Sequence, residues 1–374
     1  MHGEDNCRCP LDGWHALGLM SGTSLDGLDV ASVRFFQDQK TRAWSFALKS
    51  FSTLAYPDVL RDQLWRAMDA SAEDLMRLDH DWAHWAGQEV LRWMKDSEIS
   101  VPHVVGSHGH TIFHRPSEGW TSQIGHGAVL HATLKAPVVN DLRSLDVAMG
   151  GQGAPLVPLA DKVLFGEWDV VLNLGGFANL SMESKAGERV AWDVGPANLL
   201  LNRLVQTVGL EMDVDGQRAA SGTLIPELFE SWQMLNYHAQ APPKSLGREW
   251  LEQEVWPHAE RALTSHGLND VLATAVAYAS WAVARDIPVG SRVMVTGGGA
   301  FNPTLISALQ RETADSNVIL HFPDDQLIHG KEALVFAWLG LLRWLGQVNS
   351  LPSVTGARLA TSGGALWGKG PRAV

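Results

Sequence analysis

The sequence predicts an α/β protein built from two similar lobes that face each other across a cleft. Residues 17–33 contain four mostly apolar residues, a polar turn with two glycines and a second apolar run, which predicts strand, tight turn and strand. The same plan returns at 169–182, where an apolar strand runs into Gly-Gly-Phe-Ala-Asn and a further strand. Two copies of one plan in 374 residues, long enough for two or three domains, predict two similar halves.

The remaining elements follow from the periodicity of the apolar residues. Between 57 and 95 these residues recur at helical spacing with a break near 70–73, which predicts two amphipathic helices that cover a sheet. An Ala-rich segment at 270–284 and a strongly apolar one at 331–345 predict two further long helices. The other predicted elements are strands at 44–54, 101–106, 136–139, 292–296 and 318–322, helices at 199–208 and 225–234, and a last short strand in the C-terminal tail.

We place the boundary between the two lobes near Gly166. Residues 1–13 are polar and are expected to form a disordered tail, whereas 14–166 form the first lobe and 167–374 the second. The final segment, at about 350–370, is a candidate to pack back on the first lobe.

The charge and cysteine content of the chain argue against several classes of partner. A formal net charge of −12 leaves no basic surplus to offset phosphate repulsion, which argues against nucleic acid and anionic membranes. The two cysteines, Cys7 and Cys9, lie in the polar tail with no apolar segment beside them, so neither a disulfide framework nor a signal peptide is predicted. No run of about 18 apolar residues is present to span a membrane. The cytoplasm is therefore the expected compartment.

The first glycine turn is a candidate phosphate-binding loop. Its two glycines let the main chain approach an anion, its two hydroxyls add hydrogen-bond donors, and Asp26 and Asp29 can hold a magnesium ion through water. The alternative is an ordinary glycine-rich hairpin, because short turns of Gly, Ser and Thr are common. The turn matches neither of the two commonest phosphate-loop patterns. Its residues are Gly22, Thr23, Ser24, Leu25, Asp26, Gly27, Leu28 and Asp29.

Later strand ends also present polar or glycine-rich segments. Residues 107–111 follow a predicted buried strand, at the edge where open α/β sheets bind ligands. The glycine-dense run at 150–153 follows Arg143 and two aspartates, and it predicts either a loop folded over a polar group or an interdomain hinge. The three glycines at 297–299 suit the close approach of a nucleotide base and ribose. Together with the first turn, these segments predict a nucleotide held in the cleft.

Ten short motifs follow one another over nearly the whole chain. They are GLMSGTSLDGLDVA (18–31), GSHGHTIFHRP (106–116), QIG (123–125), VVNDLRSLDVAMGGQGAPLVP (138–158), LNLGGFANLS (172–181), WDVGPAN (192–198), PPKSLGRE (242–249), VTGGGAFN (295–302), EALVFAWL (332–339) and PSVTGA (352–357). In this order they resemble the anhydro-N-acetylmuramic acid kinase family. That family belongs to the two-lobed kinases and ATPases that include hexokinase, actin and the 70-kDa heat-shock proteins. The resemblance therefore implies an actin/hexokinase-like fold of duplicated, ribonuclease H-like lobes.

The resemblance implies a kinase reaction that also consumes water. ATP and water convert 1,6-anhydro-N-acetylmuramic acid, a sugar from recycled bacterial cell wall, into N-acetylmuramic acid 6-phosphate and ADP. Water must attack the anomeric carbon while the oxygen at position 6 is released toward the γ-phosphorus, which calls for a carboxylate to take a proton from water. The family assigns this role to the aspartate of its D-x-G-P-G-N motif, which is Asp193 here.

The same resemblance implies where the nucleotide binds. The loop from Gly22 to Asp29 resembles the family's phosphate-binding segment, and Gly297, Gly298 and Gly299 resemble its adenosine side. The implied cofactors are ATP and Mg²⁺. The implied assembly is a homodimer.

Three residues lie in motifs that would line the sugar: Thr111, Arg143 and Glu332. Arg143 is suited to the lactyl carboxylate of muramic acid through a bidentate pair. Each has a structural alternative. Thr111 can cap a turn, Arg143 can pair with Asp146, and Glu332 can be favoured by the dipole at a helix N-terminus.

Four positions depart from the family's pattern. The family usually has Gln, Asn, Phe and Gly where this chain has His110, His126, Leu142 and Ala197. The two histidines enter the region of the implied sugar site, so the sugar preference can differ. Ala197 adds a methyl group beside the implied base, with an effect that depends on its φ angle.

Two other classes of function remain open at this stage. His108 and His110 are two residues apart and face one side of a strand, which with His114, His126 and Asp141 is compatible with a zinc hydrolase. Nothing else in the chain favours a single eightfold barrel, and the glycine turns would go unexplained. The third class is a non-catalytic two-lobed sensor that binds a nucleotide, against which Asp193 and Asp26 argue.

Overall fold

A computed structural model describes residues 9–22, 25–242 and 244–371. The strands are β1 (Trp14–Ser21), β2 (Gly27–Gln37), β3 (Trp44–Ala55), β4 (Val104–Arg115), β5 (Trp120–Ile124), β6 (Val138–Asn140), β7 (Val170–Leu174), β8 (Phe177–Glu183), β9 (Arg189–Pro196), β10 (Arg292–Thr296), β11 (Ile319–His321) and β12 (Ala365–Trp367). The helices are α1 (Asp58–Arg66), α2 (Ala72–Asp96), α3 (Gly127–Leu134), α4 (Ser144–Ala148), α5 (Val157–Leu164), α6 (Asn198–Gln206), α7 (Gln217–Ser221), α8 (Pro226–Gln233), α9 (Arg248–Trp250), α10 (Trp256–Leu263), α11 (Leu268–Ala284), α12 (Pro303–Thr313), α13 (Asp325–Trp344) and α14 (Pro352–Thr355).

The two sheets share one strand order. The first has the order β12-β6-β4-β1-β2-β3, with β5 paired to β4, and the second has the order β11-β10-β7-β8-β9. In each sheet three strands that are consecutive in the chain pair antiparallel, β1-β2-β3 in the first and β7-β8-β9 in the second. A parallel strand pairs with the other edge of the first of these strands, β4 with β1 and β10 with β7. A second parallel strand follows at the outer side, β6 in one sheet and β11 in the other. The predicted duplicated α/β plan is therefore confirmed.

The chain divides into two compact units at positions that differ in part from the predicted lobes. The first unit contains the described residues up to Leu164 together with those from Gly330 onward, and the second is Phe165–His329. The first boundary lies close to the expected position near Gly166. The C-terminal part differs, because the whole segment from Gly330, and not only a final piece at 350–370, belongs to the first unit.

Helix α13 packs on the first sheet because glycines face it there. A Cβ atom on Gly18 of β1 would lie 1.7 Å from the carbonyl oxygen of Ala333, and one on Gly106 of β4 would lie 2.0 Å from that of Phe336. These two glycines are aligned in the parallel ladder between β1 and β4. Glycine at both positions lets the helix backbone rest directly on the strands.

The opposite face of the first sheet is covered by the helices predicted between 57 and 95. Leu17 and Leu19 alternate with Gly18 along β1, so they point to the other face, where they are fully buried. They join a core that includes Trp82 of α2 and Leu130 of α3. Helix α2 begins at the N-cap Ser71, whose hydroxyl accepts the backbone N–H of Asp74. Alternation along one strand thus separates two helical layers.

The second unit has its own core. Val170, Leu172 and Leu174 of β7 pack with helices α6 and α11, and the cluster includes the fully buried Trp232 and Tyr278. Buried apolar area of this kind contributes roughly 25 cal/mol per Å². Within the described part of the chain, no helix combines the length and apolar character needed to cross a bilayer.

One strand extends further than the sequence predicted, and another contains a candidate site residue in its interior. Strand β4 continues to Arg115, so residues 107–111 lie inside it and not after its end. The reason is the antiparallel partner β5, in which residues Thr121 to Ile124 pair with the C-terminal half of β4. Strand β9 likewise contains Asp193 in its interior. Pairing with a strand that is remote in the sequence can therefore extend a strand beyond the residues whose apolar pattern predicts it.

The predicted tail of 1–13 lies partly outside the described residues. Residues 9–13 lie against β2, where Arg34 forms an ion pair with Asp12 at 3.0 Å and the Cys9 thiol lies 3.9 Å from the Phe35 carbonyl oxygen. Residues 9–13 therefore make side-chain contacts with strand β2.

Candidate active site

Asp193 lies at a β-bulge in the second sheet. Ala178 of β8 pairs with Gly195, but the next residue, Asn179, pairs with Asp193, so Val194 is the extra residue on β9. Bulges of this kind redirect a side chain and are common beside active sites. The side chain of Asp193 is half-buried.

The loop at 244–246 fixes the Asp193 side chain and backbone. The Leu246 N–H donates to Oδ2 of Asp193 at 2.8 Å, and the Asp193 N–H donates to the Lys244 carbonyl at 3.2 Å. The Tyr237 hydroxyl donates to the Asp193 carbonyl oxygen at 2.7 Å. The Lys244 ammonium in turn lies 4.5 Å from the centre of the Tyr237 ring. Only Oδ2 of the carboxylate is engaged by these bonds, which leaves Oδ1 for another partner.

The pKa of Asp193 is raised above its ordinary value. The main cause is desolvation by burial, which disfavours the charged form, and the hydrogen bond from the Leu246 N–H lowers the pKa in opposition. A carboxylate with a raised pKa is a stronger base once it is ionised. The geometry and electrostatics of Asp193 therefore suit proton abstraction.

The sequence analysis gave no role to Tyr237 or Lys244, which contact Asp193 in the structure. Tyr237 gave no motif signal, although tyrosine is rare in this chain, with three residues in all. Lys244 lay in the quoted PPKSLGRE motif without an assigned role. Their contribution depends on contacts over 44 and 51 residues of chain, which periodicity cannot show.

The glycines at 297–299 form a tight turn after β10. Gly297 has a φ of +85°, and a Cβ there would lie 2.4 Å from Oδ1 of Asn173, so only glycine fits. Gly299 packs equally closely on Leu174, because a Cβ atom added at Gly299 would lie 2.8 Å from the Cβ of Leu174. Gly298 is exposed, with no atom closer to its ideal Cβ than 3.9 Å. Of the three, Gly298 is therefore the one with open space beside it.

The first glycine turn is described only in part, since Thr23 and Ser24 lie outside the described residues. Leu25 has a φ of +61°, and its N–H donates to the Gly22 carbonyl at 3.4 Å, which closes the turn. Leu28 is fully buried and anchors the following strand.

The same turn has oxygen ligands that suit Mg²⁺. Asp26 is exposed and Asp29 is half-buried. One carboxylate oxygen of Asp29 accepts the Thr53 hydroxyl at 2.5 Å. Mg²⁺ prefers carboxylate oxygens and retained waters, so both side chains are of the chemical type that holds this ion.

Arg143 is bound to a histidine and to the glycine-dense loop. Its Nε donates to Nε2 of His108 at 2.9 Å, and its Nη1 donates to the Gly153 carbonyl at 2.6 Å. Nδ1 of His108 donates to the Gly109 carbonyl at 2.9 Å, which completes a neutral tautomer. Desolvation and then the Arg143 charge hold the pKa of His108 well below its ordinary value. His108 is therefore a neutral acceptor for Arg143.

His110 belongs to a second buried network in the first unit. Its Nδ1 lies 2.7 Å from the Ser21 hydroxyl, which lies 2.6 Å from the Tyr56 hydroxyl. The indole of Trp82 donates to Tyr56 at 3.2 Å. Burial lowers the pKa of His110 to about 4. Both histidines of the predicted strand end are thus committed to hydrogen bonds within the protein.

Glu332 reaches solvent but is surrounded by protein on most sides. Desolvation is the main cause that raises its pKa, although Lys331 and Arg143 lower it and Asp29 and Asp161 raise it. The buried Lys331 forms an ion pair with Asp161 at 2.8 Å. Glu332, Asp29 and Arg143 therefore act on one another electrostatically within the first unit.

Asp146 has a structural role in holding the glycine-dense loop. Its Oδ2 accepts the Gly153 N–H at 2.8 Å, and its Oδ1 accepts the Thr355 hydroxyl at 2.8 Å. It forms no direct bond with Arg143 among the hydrogen bonds described. Desolvation lowers the pKa of Arg143 to about 10, and the charges of Glu332 and then Asp146 act in the opposite direction. Thr111 is half-buried on β4 and pairs with Gln123 of β5, so it does not cap a turn.

The other departures from the family pattern have simple structural settings. Leu142 is buried in the first unit. Ala197 has a φ of −127°, so its methyl group needs no left-handed backbone. His126 stacks on His80, with ring centroids 4.1 Å apart.

The histidines of the zinc-hydrolase alternative do not form a set of metal ligands. Among the described residues, the one group of three donors within reach of a single ion is Asp79, His80 and His126. It contains neither His108 nor His110. His126 alone of the residues named for that alternative is in the group, so nothing in the described residues favours the zinc-hydrolase alternative.

Comparison with known proteins agrees with the resemblance that the motifs indicate. The sequence model of the family described as Anhydro-N-acetylmuramic acid kinase matches residues 15–369. An anhydro-N-acetylmuramic acid kinase of Paramagnetospirillum magneticum is 36% identical over 362 residues, covering 93% of this chain and 98% of the relative. Those of Paraburkholderia xenovorans and Zymomonas mobilis are 35% and 34% identical, covering 96% and 94% of this chain and 98% and 99% of the relatives.

Two solved structures show weaker similarity. The activator of 2-hydroxyisocaproyl-CoA dehydratase from Clostridium difficile with bound ADPNP has a TM-score of 0.40 at 12% identity, covering 87% of this chain and 94% of that one. Component A of the Acidaminococcus fermentans (R)-2-hydroxyglutaryl-CoA dehydratase has a TM-score of 0.42 at 10% identity, covering 87% and 96%. The extent of the family match and the identity of the relatives over nearly their full length show that this chain belongs to the anhydro-N-acetylmuramic acid kinase family.

Proposed function

We propose that this chain phosphorylates 1,6-anhydro-N-acetylmuramic acid at the expense of ATP and opens its internal bridge with water. The products are N-acetylmuramic acid 6-phosphate and ADP. Family membership supports the reaction class. The observation on which the proposal rests most directly is the half-buried Asp193 carboxylate, whose pKa is raised and which Leu246 holds by one oxygen.

Asp193 is the general base in this proposal. It takes a proton from a water molecule as the water oxygen bonds to the anomeric carbon. The bond between that carbon and the bridging oxygen at position 6 breaks, and this oxygen bonds to the γ-phosphorus as ADP leaves. A positioned base contributes typically about 10²–10⁴-fold to such a step.

The chain's own contacts prepare Asp193 for this role. The bonds from Leu246 and Tyr237 hold the side chain and the backbone in one position before substrate binds. Positioning of this kind lowers the entropic part of the barrier. Partial burial keeps the base weakly solvated, which raises its basicity.

The nucleotide is bound by the two glycine turns in this proposal. The loop Gly22 to Asp29 binds the phosphates, and the turn Gly297 to Gly299 approaches the adenosine, with open space at Gly298. Asp26 and Asp29 would hold Mg²⁺, in part through water. The ion would neutralise charge on the phosphates, which is the main requirement of phosphoryl transfer.

The sugar is bound by residues of the first unit. Arg143 keeps donors on Nη1 and Nη2 beyond its bonds to His108 and Gly153, and these suit the lactyl carboxylate. Glu332 and Thr111 complete the sugar contacts. We extend the proposal to a homodimer that works in the cytoplasm and recycles anhydromuropeptide sugars from peptidoglycan.

The proposal is tested by incubating the purified chain with ATP, Mg²⁺ and 1,6-anhydro-N-acetylmuramic acid in H₂¹⁸O. Mass spectrometry is expected to show equal amounts of ADP and sugar phosphate. Rapid reduction of the sugar at quenching is expected to show one ¹⁸O on the former anomeric carbon, in excess of the label that unlabelled N-acetylmuramic acid 6-phosphate takes up from the same water by exchange over the same time. Release of ¹⁸O-labelled inorganic phosphate without sugar phosphate would instead show plain ATP hydrolysis and overturn the proposal.

A further inference from the structure

Asp79, His80 and His126 bring three metal-binding side chains together in the first unit. Asp79 and His80 lie on α2, and His126 lies at the start of α3. One donor atom from each lies within 4.8 Å of the other two, and all three residues are half-buried. We propose that these three side chains bind a divalent transition-metal ion of the zinc class.

A hydrogen bond of His80 leaves one of its ring nitrogens able to bind a metal ion. Its Nδ1 lies 3.0 Å from the Met76 carbonyl oxygen, which can only accept, so Nδ1 has the hydrogen. Nε2 then has the free lone pair. A ring nitrogen that donates to a carbonyl while the other nitrogen faces the ion is the usual arrangement of metal-bound histidine.

Asp79 is oriented in a comparable way. Its Oδ1 accepts the Gly125 N–H at 2.6 Å, which fixes the carboxylate against the turn that leads to His126. The other oxygen is left for a ligand. The His126 N–H also points to the Asp79 carbonyl oxygen, at 3.4 Å, so the two segments are already joined before any ion binds.

One ring nitrogen of His126 has no hydrogen-bond partner among the described residues. Its Nδ1 is buried, and no described residue forms a hydrogen bond with it. Its ring stacks on that of His80 with an interplanar angle of 26°. The geometry therefore places the faces of two potential metal-binding rings against each other, and a histidine binds a metal through the lone pair of a ring nitrogen.

The distances are compatible with a small closure around an ion. Zinc bonds of about 2.0–2.1 Å in a tetrahedron hold donor atoms roughly 3.3 Å apart. Since the donors lie within 4.8 Å of one another, they need to approach by at most about 1.5 Å, which rotation of half-buried side chains allows. Two nitrogens and one oxygen leave the fourth position to water, as in open zinc sites.

The family pattern given above usually has Asn at the position where this chain has His126. The matched variant is therefore His126→Asn, which restores the family residue and removes one ligand. His80→Gln removes the second imidazole from a helix surface. His84→Gln is the control, because His84 is an exposed histidine on the same helix outside the set.

The test is a titration of the full, chelator-treated chain with Co²⁺, followed by displacement with Zn²⁺. One Co²⁺ per chain is expected, with visible d–d absorption that Zn²⁺ removes and with a rise in Tm. Affinity is expected to fall at least tenfold in His126→Asn and in His80→Gln, and to stay unchanged in His84→Gln. Circular dichroism shows whether each variant is folded.

The N-terminal cysteines are the competing ligands in this experiment. Cys7→Ser with Cys9→Ser is expected to retain the full affinity, and thiolate charge-transfer absorption is expected to be absent from the Co²⁺ spectrum. The proposal is overturned if folded His126→Asn binds the ion as tightly as the original chain, if the cysteine variant loses the binding, or if no stoichiometric binding occurs.

Discussion

The carboxylate of Asp193 accepts a hydrogen bond of 2.8 Å from the backbone N–H of Leu246, a residue 53 positions further along the chain. A backbone donor cannot be removed by side-chain substitution and does not change its charge with pH. It therefore holds one oxygen of the carboxylate in place under all conditions in which the loop is folded. The other oxygen stays available to a water molecule.

Asp193→Asn is expected to lower kcat by about 10²–10⁴-fold and to leave the affinity for ATP unchanged. The amide oxygen of Asn can still accept the Leu246 N–H, so the loop keeps its place, but the amide cannot take a proton. Steady-state kinetics and calorimetric titration with a non-hydrolysable ATP analogue measure the two effects. The control is Glu188→Gln, an exposed acid between β8 and β9, which is expected to retain activity. Full turnover in Asp193→Asn would remove Asp193 from the mechanism.

The pH profile of kcat/KM is expected to show an acidic limb whose midpoint lies above the ordinary aspartate pKa of 3.8. Asp193 must be ionised to act as a base, and burial raises its pKa in the folded chain. Activity is therefore present above the raised pKa and is lost as the pH falls through it. Initial rates across a pH series, restricted to conditions in which circular dichroism shows a folded chain, measure the limb. A midpoint at or below 3.8 would contradict the raised pKa.

Arg143→Lys is expected to raise KM for 1,6-anhydro-N-acetylmuramic acid at least about tenfold, since charge-assisted hydrogen bonds contribute about 1.5–3 kcal/mol. Lysine has one cationic nitrogen and cannot hold His108, Gly153 and a carboxylate together. KM for ATP is expected to stay unchanged. An anhydro sugar without the lactyl group distinguishes recognition from a purely structural effect, because its KM should change much less. Arg115→Lys, at an exposed arginine, is the control.

His110→Gln is expected to reduce the loss of stability on acidification. Burial lowers the pKa of His110 from its ordinary value of 6.5, which applies to the unfolded chain, to about 4 in the folded chain. The unfolded chain therefore binds the proton more tightly than the folded chain. Stability is then complete above pH 6.5 and is lost as the pH falls toward 4, by up to about 3 kcal/mol for such a shift. Urea unfolding at several pH values measures the slope. An unchanged slope in His110→Gln would show that His110 titrates normally.

Gly18→Ala is expected to lower the free energy of unfolding by about 3 kcal/mol or more, because the added Cβ meets the Ala333 carbonyl oxygen at 1.7 Å and backbone has little room to move. Gly370→Ala is the control, with no atom within 4 Å of its ideal Cβ, and its effect should stay within about 0.5 kcal/mol. Urea unfolding measures both variants. Equal stabilities would mean that α13 does not rest on β1 as described.

Much of the fold was predictable because its determinants are local. Alternation along residues 17–33 and helical spacing in α2 and α11 each depend on neighbours a few residues apart, and the repeated strand and turn plan showed the duplication. The motif order was enough to name the family before any coordinates. Asp193 became the candidate base in this way, as part of a recognisable motif.

The tertiary structure alone decided how these residues are used. The extension of β4 required its pairing with β5, and the placement of α13 in the first unit required glycines on two strands that come together only in the sheet. His108 and His110 have the spacing of metal ligands, but burial and bonds to Arg143 and Ser21 make them neutral members of hydrogen-bond networks. Hydrogen bonding and desolvation act between groups that are distant in the chain, and the sequence shows which groups exist without showing which of them meet.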